Sequence, residues 1–577
     1  MPPRGSKGSV RRSQLITTYG VGAVIAVEDE SVMVTGIDRW GIDDPNIHEP
    51  RLERELNVRG FVLPPATEED LDIPAVRFPG WCSCPVCERL DRHKFFTSFD
   101  RNRCSTCEAP LIPARFVVAC GRGHIDDFPY FRWVHAGLSR SQEGHALSIR
   151  AGGASASLRD IGISCTCGAS MTMEGAFGRH ALREVGARCS GRRPWLSGEA
   201  EECDEVPRTL QRGASNVWFP VVRSALSIPP WSEGAFGVLN RYWGVLRHTP
   251  VEALSPTIKG MDLTRNTSYS VDDLVAAVML RKDREVNPPD PTGREPLKAE
   301  EYEALIKGRE ENSGKQDFVC VPASGVGQTA REWFPEVMVV KRLREVRVLE
   351  SFTRILPPSP SDTTERRAPL YDVPPGWLPA IEVTGEGVFL RLDAEHLERW
   401  EASEAVAGRA RKINDNYVAR FTERGDAPDR TISPRLILIH TLAHSLINQW
   451  SLDSGYPAAS LRERLYVGDA IAGLLIYTAT TDSAGSLGGV VAQAEDGRLG
   501  EALLSALTAA SWCSADPLCI EAGTQGVDSV NLAACHACVL LPEVSCEEMN
   551  QLLDRALLIG SPEDPAVGYF APMLIGV

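Results

Sequence analysis

The sequence predicts an α+β multidomain protein, with small zinc-stapled modules in the N-terminal half and a mixed α/β C-terminal domain carrying a four-Cys zinc site. Three observations predict it. The chain has 577 residues, 43% of them hydrophobic, enough to bury more than one core. Its sixteen cysteines are grouped along the chain. Between those groups, strand-like and helix-like segments alternate. The boundaries this suggests are a β-rich region with a basic arm at 1–75, a zinc ribbon at 76–150, a second Cys-rich module at 151–215, a mixed α/β region at 216–432 and the C-terminal domain at 433–577.

The first region opens with Arg4, Lys7, Arg11 and Arg12 and no acid among its first twelve residues. Arg11 and Arg12 are candidate DNA contacts, set against the plainer reading of a solvated tail. The run "GVGAVIAVEDESVMVTG" then suggests a β-hairpin from its Val and Ile content and glycine punctuation. In the second region Cys84-x2-Cys87 is followed, after sixteen residues, by Cys104-x2-Cys107. Each short turn points two thiolates at one spot, and tetrahedral zinc takes two such turns. Cys82 is a surplus thiol able to replace one ligand; Cys120, four residues before His124, makes with it a pair able to join a metal site, although core beside a structural Gly-x-Gly-His turn is the favoured reading.

The third region holds Cys165, Cys167, Cys189 and Cys203, expected to form one metal-stapled module. The fourth contains two helical segments, "VDDLVAAVMLRKDRE" and "KAEEYEALIKGREE", separated by a Pro-rich loop. Its run "VMVVKRLREVRVLESFTRI" reads as a strand or helix start leading into a helix. On that helix Lys341, Arg344 and Arg347 recur every three residues as one basic stripe, diluted by Glu345 and Glu350. The stripe is a second DNA-binding candidate against a salt-bridged surface face. A Pro-rich stretch separates it from the strands of "PAIEVTGEGVFLRL". Cys320 looks like a strand-core thiol.

In the last region Pro434 opens a helix that places His440 and His444 on one face. The Glu of a His-Glu-x-x-His protease motif is missing, so buried, hydrogen-bonded histidines are the favoured reading. The strand "AGLLIYTAT", a Gly-rich loop and a helix follow; without a lysine in the loop this is not a P-loop. Finally Cys513-x5-Cys519 is matched, after fifteen residues, by Cys535-x2-Cys538. Four thiolates make a closed structural zinc site with no position left for substrate. Cys546 is a substitute ligand. With one site per cysteine group, about three structural zinc ions are expected.

Several function classes are excluded. The net charge of −16 argues against a free-standing nucleic-acid binder, which needs a basic face. The longest apolar runs, such as "LILIHTLAHSLI", are too short to cross a bilayer. The opening "MPPRGSKGSVRRSQLITTYG" has no stretch suited to a signal peptide, so a reducing cytoplasm is expected, where clustered cysteines bind metal. No Gly-x-x-x-x-Gly-Lys-Ser/Thr, Gly-x-Ser-x-Gly or convincing carboxylate cluster occurs, so no catalytic residues are assigned.

The strings "RRSQLITTYGVGAVI", "ACGRGHIDDFPYFRWVH", "KRLREVRVLESFTRI", "GWLPAIEVTGEGVFLRL" and "HTLAHSLINQWSLDSGYPAASLRERLY" with "NLAACHACVLLPEVSC" occur in an order that resembles the DrmB family of the bacterial DISARM antiphage system. The part from about Ser433 onward is also similar to a C-terminal domain fused to some bacterial DNA helicases, in which four cysteines bind zinc. The matching positions are Cys513, Cys519, Cys535 and Cys538. The resemblance implies a non-enzymatic, helicase-associated partner of the helicase DrmA, in a complex that engages phage DNA alongside a methyltransferase. It supplies no catalytic residues. The rival expectation is a cryptic hydrolase or nuclease built from His440, His444, Asp482 and Ser483, which requires those groups to converge in an open cleft.

Overall fold

The computed structural model describes residues 8–574 apart from 43, 66–71, 97–100, 139–141, 153–156, 233, 241, 266, 268, 287–295, 312–315, 359–364, 425, 426, 429, 479–487, 527 and 528. The fold is mixed α/β, and the chain divides into two compact units. The first comprises Met1–Ile47, Glu53–Arg223 and Arg347–Ile381; the second His48–Leu52, Ser224–Val346 and Glu382–Val577.

In the first unit the expected hairpin forms, with Val24–Val27 antiparallel to Glu30–Val34 and extended by Ala75–Arg77. A six-stranded sheet follows, ordered Ser170–Thr172, Ile161–Cys165, Leu147–Ala151, Arg89–Arg92, Trp81–Ser83, Ile112–Pro113. A three-stranded sheet pairs Phe116–Ala119 with both Ile125–Asp127 and Arg208–Gln211. Phe116, Phe128, Tyr130 and Trp133 fill the core here, with rings meeting edge to face at centroid separations of 4.9 to 6.4 Å. Arg354 is also buried, and its guanidinium donates to the carbonyls of Gly22, Gly123 and Val217 at 2.5–2.9 Å, which offsets its loss of water.

The second unit is organised around the helix Pro434–Ser454. Ser433 caps it by accepting from the Leu436 N–H at 3.2 Å, Pro434 sits where its missing N–H costs nothing, and left-handed Gly455 (φ 73°) ends it. Its residues from Leu436 to Ile447 are buried on every side. One face meets the helix Arg498–Ala510 and the other the antiparallel strands Leu461–Val467 and Ala472–Thr478. Ala472–Thr478 pairs in turn with the end of Leu378–Arg391. Gly385 is required in that long strand, because a Cβ there would lie 1.8 Å from the Thr478 carbonyl oxygen. Buried Glu301, on the helix Pro296–Lys307, accepts from Arg464 Nε at 2.5 Å and Nη2 at 2.9 Å, and from the Leu226 N–H at 2.9 Å, so neither charge is left unpaired.

One expectation fails here. Residues Glu336–Thr353 form a single strand, not a helix. β-Branched residues at Val337, Val339, Val340, Val346 and Val348 and burial on both faces suit a central strand, and override the three-residue recurrence of charge. Along a strand alternate side chains face opposite ways, so Lys341 and Arg347 lie on one face and Arg344 on the other; the basic stripe does not exist. Arg347 is buried. Arg344 is engaged by Glu382, by Ser227 Oγ at 2.7 Å, by the His48 carbonyl at 3.1 Å and by Glu49 at 3.7 Å. Lys341 alone of the three is exposed. No described helix is long and apolar enough to cross a membrane.

Candidate metal centres

Two knuckles of the same design build the first cluster. After the strand Trp81–Ser83, Cys84 donates its N–H to the Arg89 carbonyl and accepts from Glu88, which is left-handed at φ 58°. The second turn repeats this: Cys104 donates to Ala109 and accepts from Glu108 at φ 53°. The turns bring the sulfurs of Cys84, Cys87, Cys104 and Cys107 together, with Cys87 and Cys104 3.9 Å apart. A tetrahedron of thiolates at a zinc–sulfur distance of about 2.3 Å has edges of about 3.8 Å, so the donors fit. Cys82 stays outside this group; burial pushes its thiol up to about 12, which keeps it protonated.

The four thiols expected to form one second module are divided between two clusters. Cys165 and Cys167 meet His135 and His145, whereas Cys189 and Cys203 meet Cys120 and His124. Strand pairing is the reason. Leu147 pairs with Cys165 across the sheet, and Thr166 donates to the Ala146 carbonyl, so His145 is delivered beside the Cys165–Cys167 turn. His145 Nδ1 stands 3.2 Å from the Cys165 sulfur. His135 follows the helix Tyr130–Val134 and donates from Nδ1 to the Phe131 carbonyl at 2.7 Å, which leaves Nε2 facing the Cys167 sulfur at 3.4 Å. The Ala169 N–H and His135 draw the Cys167 thiol down to about 6, poised to act as a thiolate.

The third cluster hangs on the turn between the strands Phe116–Ala119 and Ile125–Asp127. The Cys120 N–H donates to the His124 carbonyl and the N–H of left-handed Gly123 (φ 79°) to the Cys120 carbonyl, a turn that brings His124 Nδ1 3.4 Å from the Cys120 sulfur. His124 Nε2 lies 3.3 Å from Glu201, the carboxylate–imidazole arrangement that fixes a ligand's tautomer and raises its basicity. Of the two readings the sequence allows for Cys120 and His124, their geometry supports the ligand pair over the plain core and turn.

In the second unit, Cys513, Cys519, Cys535 and Cys538 assemble from the end of the helix Arg498–Ala510 and a later turn. Sulfur separations are 3.5 Å for Cys513 and Cys535, 3.8 Å for Cys519 and Cys538, and 3.7 Å across the Cys535–Cys538 turn. Asp516 holds the first loop, accepting from the Cys513 N–H at 2.9 Å and pairing with buried Arg555.

His440 and His444 are fully buried, with ring centroids 4.5 Å apart, beside Glu463 and Cys546. Burial raises the Glu463 carboxyl, but the two imidazoles overcome that and hold it well below the usual range. All four side chains are buried rather than facing a cleft, and Asp482 and Ser483 lie outside the described residues. Cys546 therefore joins the histidines rather than the four-thiol cluster. Of the basic arm, Arg4 and Lys7 also lie outside the described residues, while Arg11 is exposed and Arg12 half-buried.

Comparison with known proteins agrees with this geometry. The family described as MrfA Zn-binding domain matches residues 442–539, which include all four cysteines of the C-terminal cluster. A domain of unknown function, DUF8724, matches residues 11–219. The DISARM protein DrmB of Bacillus paralicheniformis is 30% identical over 573 residues, covering 95% of this chain and 99% of that relative. The chain belongs to the DrmB family of DISARM proteins.

Proposed function

We propose that this chain is a non-catalytic subunit of a cytoplasmic antiphage defence complex, docking on the helicase DrmA and helping it engage phage DNA. The observation that carries this reading is the DrmB likeness, which extends over 95% of the chain instead of one shared domain. The metal clusters support a structural role. Four sets of four Cys or His donors, each a complete tetrahedral shell, leave no coordination position for substrate. In this reading each holds a zinc ion, so the cysteine-rich regions contribute four ions where one per sequence group gave three. Zinc there supplies folding free energy, roughly 10 kcal/mol or more at a structural site, and no chemistry on DNA.

DNA contact in this acidic protein falls to Arg11, Arg12 and Lys341 or to the partner, since Arg344 and Arg347 are committed inside the fold. The test is co-purification with DrmA, followed by ATPase and DNA-binding assays of each subunit alone and together. Capture of DrmA and a change in its ATPase or DNA affinity are expected, with neither activity in this chain alone. A chain that ignores DrmA, or cuts DNA unaided, overturns the reading.

A further inference from the structure

The clustered side chains His440, His444, Glu463 and Cys546 are fully or almost fully buried, lie apart from the four cysteine-rich sets, and have nitrogen, oxygen and sulfur donor atoms all within 4.8 Å of one another. We propose that they form a fifth zinc site, closed and structural, which pins the helix Pro434–Ser454 to the strand Leu461–Val467 and to the loop around Cys546.

The hydrogen-bond inventory points to a cation. His444 Nδ1 is 2.7 Å from the Val539 carbonyl oxygen, which can only accept, so Nδ1 carries the proton. Nε2 of the neutral ring is then a bare lone pair, and it faces Glu463 Oε2 at 3.6 Å, acceptor against acceptor. Both atoms are buried with no hydrogen-bond partner. Such a pair is costly unless something positive lies between them. The remaining contacts fit the same centre: His440 Nε2 is 3.2 Å from the Cys546 sulfur and 3.2 Å from Glu463 Oε1. Tetrahedral zinc with nitrogen, oxygen and sulfur at about 2.0–2.3 Å has ligand–ligand edges of about 3.3–3.8 Å, so 3.2–3.6 Å suits ligands around one ion.

The surroundings hold these donors in place. The Glu547 N–H donates to Glu463 Oε1 at 2.9 Å, and the Asn550 N–H points at the Cys546 sulfur at 3.2 Å, as an amide does toward a thiolate. Binding balances charge: Zn²⁺ meets the Glu463 carboxylate and the Cys546 thiolate, the thiol proton passes to solvent, and the buried cluster is neutral. Two imidazoles, a carboxylate and a thiolate are ligands of borderline-soft zinc, not of magnesium or calcium.

The experiment is elemental analysis of the full chain, purified without chelator, beside Glu463→Gln and Cys546→Ala and the control His536→Ala at the exposed histidine of the C-terminal knuckle. Each cluster variant is expected to lose one equivalent of zinc relative to the parent, and the control none. An unchanged zinc content in folded cluster variants overturns the site. If those variants fail to fold, anomalous scattering at the zinc edge from crystals of the unaltered protein decides: a peak among the four side chains supports the site, and none there refutes it.

Discussion

His145 Nδ1 lies 3.2 Å from the sulfur of Cys165, although the two are twenty positions apart and His145 belongs to no Cys/His motif of short spacing. That contact assigns Cys165 to a His₂Cys₂ set and separates it from Cys189 and Cys203. Zinc stoichiometry of double variants tests the division. Cys165→Ser with His145→Ala should lose one equivalent, the same as either alone; Cys165→Ser with Cys189→Ser should lose two. A single equivalent lost from the second pair would restore the one-module reading.

Cys84, Cys87, Cys104 and Cys107 could be grouped by eye because a Cys-x-x-Cys turn is local: the residues that build it are the ligands themselves. His145 reaches its partners only through the register that sets Leu147 opposite Cys165, and register is absent from residue spacing. The signal available was a pair of histidines, His135 and His145, just upstream of Cys165-x-Cys167. The strand Glu336–Thr353 was obscured differently, since charges buried in ion pairs resemble a helix's solvent face when their partners, such as Glu49 and Glu382, lie far away in the chain. The hairpin and the helix after Ser433 were legible because a turn or a cap residue announces each locally.

Glu201 should matter to the metal without touching it. Its carboxylate holds His124 Nε2 at 3.3 Å. Glu201→Ala is expected to weaken zinc at the Cys120, His124, Cys189 and Cys203 set by roughly 10- to 100-fold, as outer partners of metal-bound imidazoles do. Competition against a chromophoric chelator reads this as one ion released early. Release of all ions in step would instead indicate a general loss of folding.

Arg344 should behave as a structural residue. Glu49 lies 3.7 Å away and keeps Arg51 Nε at 3.3 Å and Ser227 Oγ at 2.7 Å without it, so the loss falls on the bonds Arg344 itself donates to Ser227 Oγ and the His48 carbonyl. Arg344→Ala is expected to cost roughly 1.5–3 kcal/mol, the range for hydrogen bonds to a charged group, seen as a lower denaturant midpoint. Lys341→Glu, on an exposed side chain, should leave the midpoint unchanged. If Lys341 meets phosphate in the proposed complex with DrmA, its reversal lowers the salt slope of DNA binding by about one unit; an unchanged slope moves the DNA path elsewhere.

Asp127 gives the protein a pH dependence of the less common sign. Burial, with Asp126 as like-charged neighbour, pushes its carboxyl up from 3.8 to about 6, even though Oδ1 accepts from the Gly80 N–H at 2.8 Å and the Trp81 N–H at 3.2 Å. Between pH 4 and 6 the folded chain therefore keeps a proton here that the unfolded chain has released. Stability contributed by this group is full below about pH 4 and is lost as pH rises through 6. Asn keeps an acceptor at Oδ1 and carries no charge, so Asp127→Asn should melt higher than the parent at pH 8. The gap between the two proteins should shrink as pH falls from 6 toward 4, and measuring both in the same buffers cancels the effect of acid on the zinc sites. A gap constant across that window, or a variant that melts lower at pH 8, would show that the two backbone N–H bonds outweigh burial and hold the carboxylate charged.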